Sequence, residues 1–332
     1  MSFQYITPGQ QQPKKHQLPA YKFDQYKKPE NYIIKPDQAC AINVALYMNH
    51  PLLITGEPGT GKTQLASRIS WCLDLGAPLV FNTKSTSIAT DLFYTYNSLA
   101  RFHAAQTKKS YRDGIDFITY NALGKAILFS NTLAEIEQIE KEYGTKLVLN
   151  HEVRTTQKQK VVLIDEIDKA PRDFPNDLLN EIENCAFEIQ ELNNARISAK
   201  KEHFPIIIIT SNSEKHLSDA FLRRCVYYHI EFPDLKEMKT IVTQRLKEIS
   251  EPAINDMLVL FYQLRNTKQM KKRPATAEFL VCIKSVYDYV SGNTIKDEEK
   301  EFVKHIILST LIKKEKDLPV AKEIVEKWLS EK

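Results

Sequence analysis

The apolar positions of this chain fall into two regimes. Up to about residue 233, short apolar runs alternate with stretches of helical spacing; beyond it, only helical spacing remains. The first regime holds runs at residues 52–54, 79–81, 161–164 and 206–209. In the third, Val161, Val162 and Ile164 are β-branched, and an unbroken run of this kind suits a parallel strand buried on both faces. A last strand is expected at 226–230, after a short helix that follows Ser218. Helical spacing predicts helices over residues 35–48 (with Asp37 as a cap), 117–130, 133–143 and 176–183. Residues 82–102 begin as a loop and continue as helix. Residues 146–160 are polar and irregular, with room for a short hairpin. Residues 187–199 alternate around Leu192-Asn193-Asn194, the pattern of a β-hairpin. In the second regime helices are predicted at 235–249, 253–265, 276–290, 298–313 and 320–329, separated by Pro, Gly, Asn or Asp.

This division predicts an α/β core over residues 37–233 and an α-helical lid over 234–332. Residues 1–36 are rich in Gln, Pro, Lys and Tyr and predict an extended or flexible arm. At the end of that arm, Tyr32, Ile33 and Ile34 suit either the lining of an adenine pocket or core packing.

The chemistry begins where the first strand ends. Residues 56–63 read Gly-Glu-Pro-Gly-Thr-Gly-Lys-Thr between a strand and a helix, the GxxxxGK[ST] phosphate-binding loop in its proper context. Glycines let such a loop turn its N–H groups inward, and the helix that follows adds its positive end. The candidate nucleotide-binding residues are Gly56, Glu57, Pro58, Gly59, Thr60, Gly61, Lys62, Thr63 and Gln64. Lys62 is expected to reach the β- and γ-phosphates of ATP, and the Thr63 hydroxyl to ligate Mg²⁺. Asp165 and Glu166 follow the third apolar run, at the end of a strand where ligands of open α/β sheets bind. Asp165 is the expected metal-holding residue through water, and Glu166 the residue that polarises the attacking water. Asn212, at the tip of Thr210-Ser211-Asn212, is placed to hydrogen-bond the γ-phosphate or that water. Arg223 and Arg224 suit either local ion pairs or a neighbouring subunit's nucleotide site. Lys271-Lys272-Arg273 suits either a solvated basic turn or a cation closing over the phosphates, so Arg273 is a further candidate for the nucleotide.

Composition narrows the picture only a little. The chain has 332 residues, enough for two domains, with 42% hydrophobic and 27% charged residues. A net charge of +4 neither demands nor excludes nucleic acid. No apolar run reaches membrane-spanning length, and the start of the sequence lacks an apolar signal core. Five scattered cysteines without CxxC spacing point away from a disulfide or metal framework and toward a cytoplasmic protein.

Taken in order, GEPGTGKT, VVLIDEIDKAPRDFPNDLLNEIE, IIIITSN and DAFLRRCV resemble the AAA+ ATPases, and within them the MoxR-like group. The resemblance covers about residues 37–290. It implies a P-loop NTPase fold, a three-layer αβα core with a five-stranded parallel sheet, followed by the helical lid. It also implies a homo-oligomeric ring, usually hexameric, with ATP held between neighbours. Lys62 and Thr63 then match Walker A, Asp165 and Glu166 match Walker B, and Asn212 matches sensor 1. Arg224 falls at the arginine-finger position with Arg223 beside it. Asn82 matches a position that can hold the catalytic Glu away from water. The sequence departs from the family at sensor 2, where Ala277 stands in place of an arginine and leaves Arg273 or Lys272 as substitutes. The hairpin at 187–199 and residues 84–93 match insertions that face the pore or partners.

By resemblance, the function is remodelling or activating a partner protein, one with a von Willebrand A domain. The alternatives are a nucleic-acid-associated motor or loader, against which stand the mild charge and the lack of a DNA-binding module after the lid, and a nucleotide-gated scaffold in bacterial defence.

Overall fold

The computed structural model describes residues 28–106, 114–147, 157–212, 217–290 and 295–332. The arm expected at 1–36 and the hairpin expected within 146–160 lie largely outside these residues. The chain divides into two compact units. One comprises residues 34–56 and 61–230. The other comprises residues 57–60 and 231–332, with the described residues 28–33.

In the first unit, helix α1 (Pro36–Met48) leads into strand β1 (Leu52–Gly56), the phosphate-loop sequence and helix α2 (Lys62–Cys72). Proline at the first position of α1 fixes its start. Asp37 is not its cap. The capping position is Lys35, whose N–H is met by the Gln38 side chain at 3.4 Å. Asp37 sits in the first turn and accepts a hydrogen bond from the Tyr228 hydroxyl at 3.0 Å, which holds its carboxyl below the usual range. Tyr32, Ile33 and Ile34 enter neither core; Ile33 is 40% exposed.

Strand β2 (Leu79–Asn82) is followed by strand β3 (Tyr94–Tyr96), helix α3 (Ser98–Gln106) and strand β4 (Ile118–Tyr120). The helix expected over 117–130 is therefore shorter: its first residues form β4, and helix α4 spans Ala122–Ser130. Ile118 and Tyr120 point inward and pair antiparallel with Tyr96 and Tyr94. Apolar spacing alone could not separate this three-residue strand from the helix after it. Gly124 fixes the junction, because a Cβ there would lie 2.1 Å from the Phe93 carbonyl oxygen. Helix α5 (Leu133–Tyr143) starts with a capping box from Thr132 and Glu135.

Strand β5 (Val161–Asp165), helix α6 (Phe174–Asn184), the hairpin β6 (Ala186–Ile189) and β7 (Ala195–Ser198), strand β8 (Ile206–Ser211), helix α7 (Asp219–Leu222) and strand β9 (Val226–Ile230) complete this unit. The hairpin turns through Asn193 and Asn194, both left-handed, a conformation that asparagine tolerates better than most residues.

The central sheet is wholly parallel in the order β2-β5-β8-β1-β9. Strands buried on both faces need apolar side chains throughout, and Leu53, Ile54, Leu163, Ile164, Ile208 and Ile209 are all fully buried. Leu53, Ile164 and Ile209 join one core with Leu123 and Ile127 of α4 and Leu178 of α6. The alternate residues face the other way, where α2 packs on β1, β5 and β8. This is the three-layer αβα core with a five-stranded parallel sheet that the resemblance implies. Because the strands are parallel, the carboxyl ends of β1, β5 and β8 emerge along one edge.

The second unit is helical: α8 (Leu235–Arg245), α9 (Glu251–Asn266), α10 (Thr276–Tyr289), α11 (Asp297–Leu311) and α12 (Leu318–Ser330). The first of these ends four residues earlier than its spacing suggests, because Leu246 leaves the helical region at φ −123°, ψ 63°. Phe261 and Phe279 form the centre of its core, with ring centroids 4.5 Å apart. No described helix is long and apolar enough to cross a membrane.

Candidate functional site

The carboxyl edge of the sheet gathers polar groups that the strands before it cannot hold. β1 ends at Gly56, and α2 is capped by Gly61 at φ +94°. Lys62 is buried, and its ammonium donates to the Gly56 carbonyl at 2.8 Å, so the loop is drawn around its own lysine. One residue on, the Thr63 hydroxyl faces both Asp165 carboxylate oxygens at 3.1 and 3.2 Å. Gln64 lies half-buried in the first turn of α2.

Asp165 is oriented from the neighbouring strand. The fully buried Thr210 hydroxyl donates to its Oδ1 at 2.6 Å and accepts from the Glu166 backbone N–H at 2.8 Å. Glu166 has a left-handed backbone, φ 56°, which turns the chain out of β5 directly after the aspartate. Its carboxylate accepts from the Asn212 side-chain amide at 3.2 Å and pairs with Lys169. The Asn212 backbone N–H in turn donates to the buried Asp168 carboxylate at 3.1 Å. Thr63, Asp165, Glu166 and Asn212 thus form one network with Thr210, Asp168 and Lys169, which the sequence reading did not single out. Their signal was present: Asp168-Lys169 closes the DEIDK run, and Thr210 is the polar residue two before Asn212. Asn82 stands opposite Asp165 in the β2–β5 register, but its side chain makes no hydrogen bond to Glu166 among the described residues.

The chemistry of this donor set suits phosphate and a hard cation. A hydroxyl and a carboxylate in contact offer oxygen ligands of the kind Mg²⁺ takes. The N-terminus of the 11-residue α2 and the Lys62 cation supply the positive field that phosphates require.

Residues 57–60 of the loop belong to the second compact unit. The Thr60 hydroxyl and N–H both donate to the Glu57 carbonyl, at 2.9 and 3.3 Å. Gly59, at φ +80°, sits where a Cβ would meet the Ala275 Cβ at 2.9 Å, so both conformation and space call for glycine. The Glu57 carboxylate pairs with Arg265 of α9 at 2.5 Å. Arg265 was also not singled out in sequence. Its mark there is a cation beside Phe261 and Leu264 in an otherwise apolar stretch.

Within the first unit, Arg224 and Arg223 stand apart from this network. β9 runs parallel to β1, with Leu52 opposite Val226, so Arg224 lies at the amino edge of the sheet. Five residues of strand separate the two edges by roughly 15 Å. There Arg224 pairs with Glu183 of α6 and donates to the Ala220 carbonyl at 3.3 Å. It also borders an apolar cavity of about 550 Å³ whose walls include Leu52, Ile69, Ile182 and Ile208. Arg223 is exposed at the end of α7. In the second unit Arg273 is exposed, Lys272 pairs with Glu278 at 3.3 Å, and Ala277 is exposed in the first turn of α10. The backbone N–H groups of Lys271 and Lys272 are held by the buried Asp317 carboxylate at 2.7 and 2.9 Å.

A family model for the AAA domain, dynein-related subfamily, matches residues 51–225. The chain belongs to this AAA family. The match runs from the residue before β1 to the residue before β9 and takes in the whole polar network. No curated protein matches. Among solved structures, two point variants of RuvB from Thermotoga maritima are similar. One is 16% identical, with 83% of this chain and 67% of that chain covered and a TM-score of 0.42. The other is 17% identical, with 86% and 71% covered and a TM-score of 0.44. Membership of an AAA family implies nucleotide binding and, typically, oligomers.

Proposed function

We propose that this AAA protein is a Mg²⁺-dependent, ATP-hydrolysing ring ATPase of the MoxR-like kind, which remodels or activates a partner protein. The observation that carries this reading is the continuous network Thr63–Asp165–Thr210–Glu166–Asn212 beside a phosphate loop closed on Lys62. Each part has a distinct task. Lys62 and the loop N–H groups bind the phosphates. Thr63 and Asp165 would hold Mg²⁺, which when bound supplies charge neutralisation at the β- and γ-oxygens. Thr210 keeps the Asp165 carboxylate aimed at Thr63. Glu166 orients the attacking water and takes up its proton, while Asn212 fixes the Glu166 carboxylate by its hydrogen bond. Lys169 holds Glu166 in the resting arrangement.

Arg224, at the other edge and in a local pair, serves a neighbouring copy's nucleotide in this reading, with Arg223 beside it. That is why a homo-oligomeric ring, hexameric by resemblance, belongs to the proposal. Residues 37–233 are assigned to the ATPase core, residues 234–332 to a lid and residues 1–36 to an arm. The partner class, a protein with a von Willebrand A domain, rests on resemblance alone.

The decisive experiment is Glu166→Gln. ATP is expected to bind as in the wild type, turnover to fall at least about a hundredfold, and the ATP-bound ring to retain its partner in a pull-down. Normal turnover in this variant would refute the mechanism.

A further inference from the structure

Arg265 is a buried cation of the second unit that none of the assigned roles uses. It is 6% exposed. One guanidinium nitrogen donates to the Pro274 carbonyl at 2.9 Å, another pairs with the Glu57 carboxylate at 2.5 Å, and the plane lies over the Phe232 ring at 3.2 Å from its centroid. A buried guanidinium is tolerable only when its charge and its donors are met. Here the charge is met by a carboxylate inside the phosphate loop.

That placement is chemically odd. A free carboxylate next to Gly56 would oppose the binding of a polyanion, and Glu57 is the one acidic residue in residues 56–63. Arg265 cancels that charge. It also shapes the loop, because the Pro274 carbonyl it holds precedes Ala275, against which Gly59 packs. One side chain thus ties down Glu57 directly and borders the seat of Gly59.

We propose that Arg265 is a positioning residue for nucleotide binding, which acts by neutralising and tying down Glu57 so that the phosphates meet no bare carboxylate in residues 56–63. The inference rests on the reading of Gly56–Thr63 as a nucleotide site, and it assigns to α9 a role that the missing arginine at Ala277 leaves open.

The test is the affinity of the full chain for a fluorescent ATP analogue and its ADP counterpart, alongside thermal melting without nucleotide. Arg265→Met removes the charge and keeps the apolar volume; it is expected to weaken ATP binding about tenfold, with a smaller loss for ADP, which carries less charge. Adding Glu57→Gln to that variant removes the bare carboxylate and is expected to restore most of the affinity. Glu57→Asp shortens the reach by one methylene while keeping the charge; it is expected to reproduce the Arg265→Met loss, and it serves if Arg265→Met does not fold. Arg265→Met or Glu57→Asp binding ATP like the wild type would overturn the proposal. So would a double variant as weak as Arg265→Met, the result of a purely structural role. If wild type itself fails to bind ATP, or binds it no better than Lys62→Ala, the nucleotide reading falls instead.

Discussion

The two edges of the central sheet are made of the same strands and have opposite characters. At the carboxyl edge, Thr63, Asp165, Thr210, Glu166 and Asn212 are locked together by hydrogen bonds of 2.6–3.2 Å. At the amino edge, an apolar cavity of about 550 Å³ opens beside the ion pair of Arg224 with Glu183. The contrast follows from strand direction. Parallel strands bring every loop that follows a strand to one side, so polar residues placed just after β1, β5 and β8 meet without any long-range design. Residues placed before the strands have no such shared target, and Arg224 finds only a local partner. In the proposed reading, Arg224 on that edge acts on the nucleotide of another molecule.

The largest expected effect sharpens that last point. Arg224→Ala is expected to cut turnover by about 10³-fold, the scale of an arginine finger, while nucleotide affinity stays unchanged. Mixing it with Glu166→Gln subunits is expected to restore part of the turnover, since each variant supplies what the other lacks. Turnover that tracks the fraction of wild-type chains, with no gain from mixing, would mean that the two edges act within one molecule.

A smaller effect breaks the carboxyl edge from within. Thr210→Val keeps the shape but leaves the partly buried Glu166 N–H without its acceptor and Asp165 with only the Thr63 donor. A loss of about 1–3 kcal/mol is expected from the unmet group, read as a lower melting temperature, with turnover reduced about tenfold. A variant as stable and active as wild type would remove Thr210 from the network.

The smallest concerns the thiols. Burial pushes Cys185 and Cys225, both lining the amino-edge cavity, and Cys282 of α10 up to about 12. A raised value means less thiolate at neutral pH and slower alkylation. Cys40 and Cys72 are exposed and are expected to react first with iodoacetamide, as peptide mapping would reveal. Early labelling of Cys185 or Cys225 would mean that the cavity opens in solution.

What could be read from the sequence differs in kind between the two edges. Residues 56–63 and 161–166 were legible because glycines, a lysine and paired carboxylates at fixed spacing after apolar runs encode position and chemistry together. Four of the five parallel strands were legible for the same reason, as unbroken apolar runs. The strands β3 and β4 were not: three residues each cannot establish a period, and their pairing is decided by Phe93 and Gly124 across a gap of thirty residues. The supporting residues Thr210, Asp168 and Arg265 were illegible as a group because their partners lie 45, 44 and 208 positions away. Only the register of neighbouring strands, or the packing of a helix against a loop, turns such residues into a unit.

The left-handed backbone of Glu166 has a consequence for how this protein could be improved. A side chain in that region costs roughly 1–2 kcal/mol relative to glycine, so the chain holds its catalytic candidate at the expense of its own folding. Selection for heat resistance alone would favour glycine at position 166 and discard the carboxylate proposed to activate the attacking water. Robustness and activity are therefore in direct competition at a single residue, and variants enriched for the first must be screened for the second.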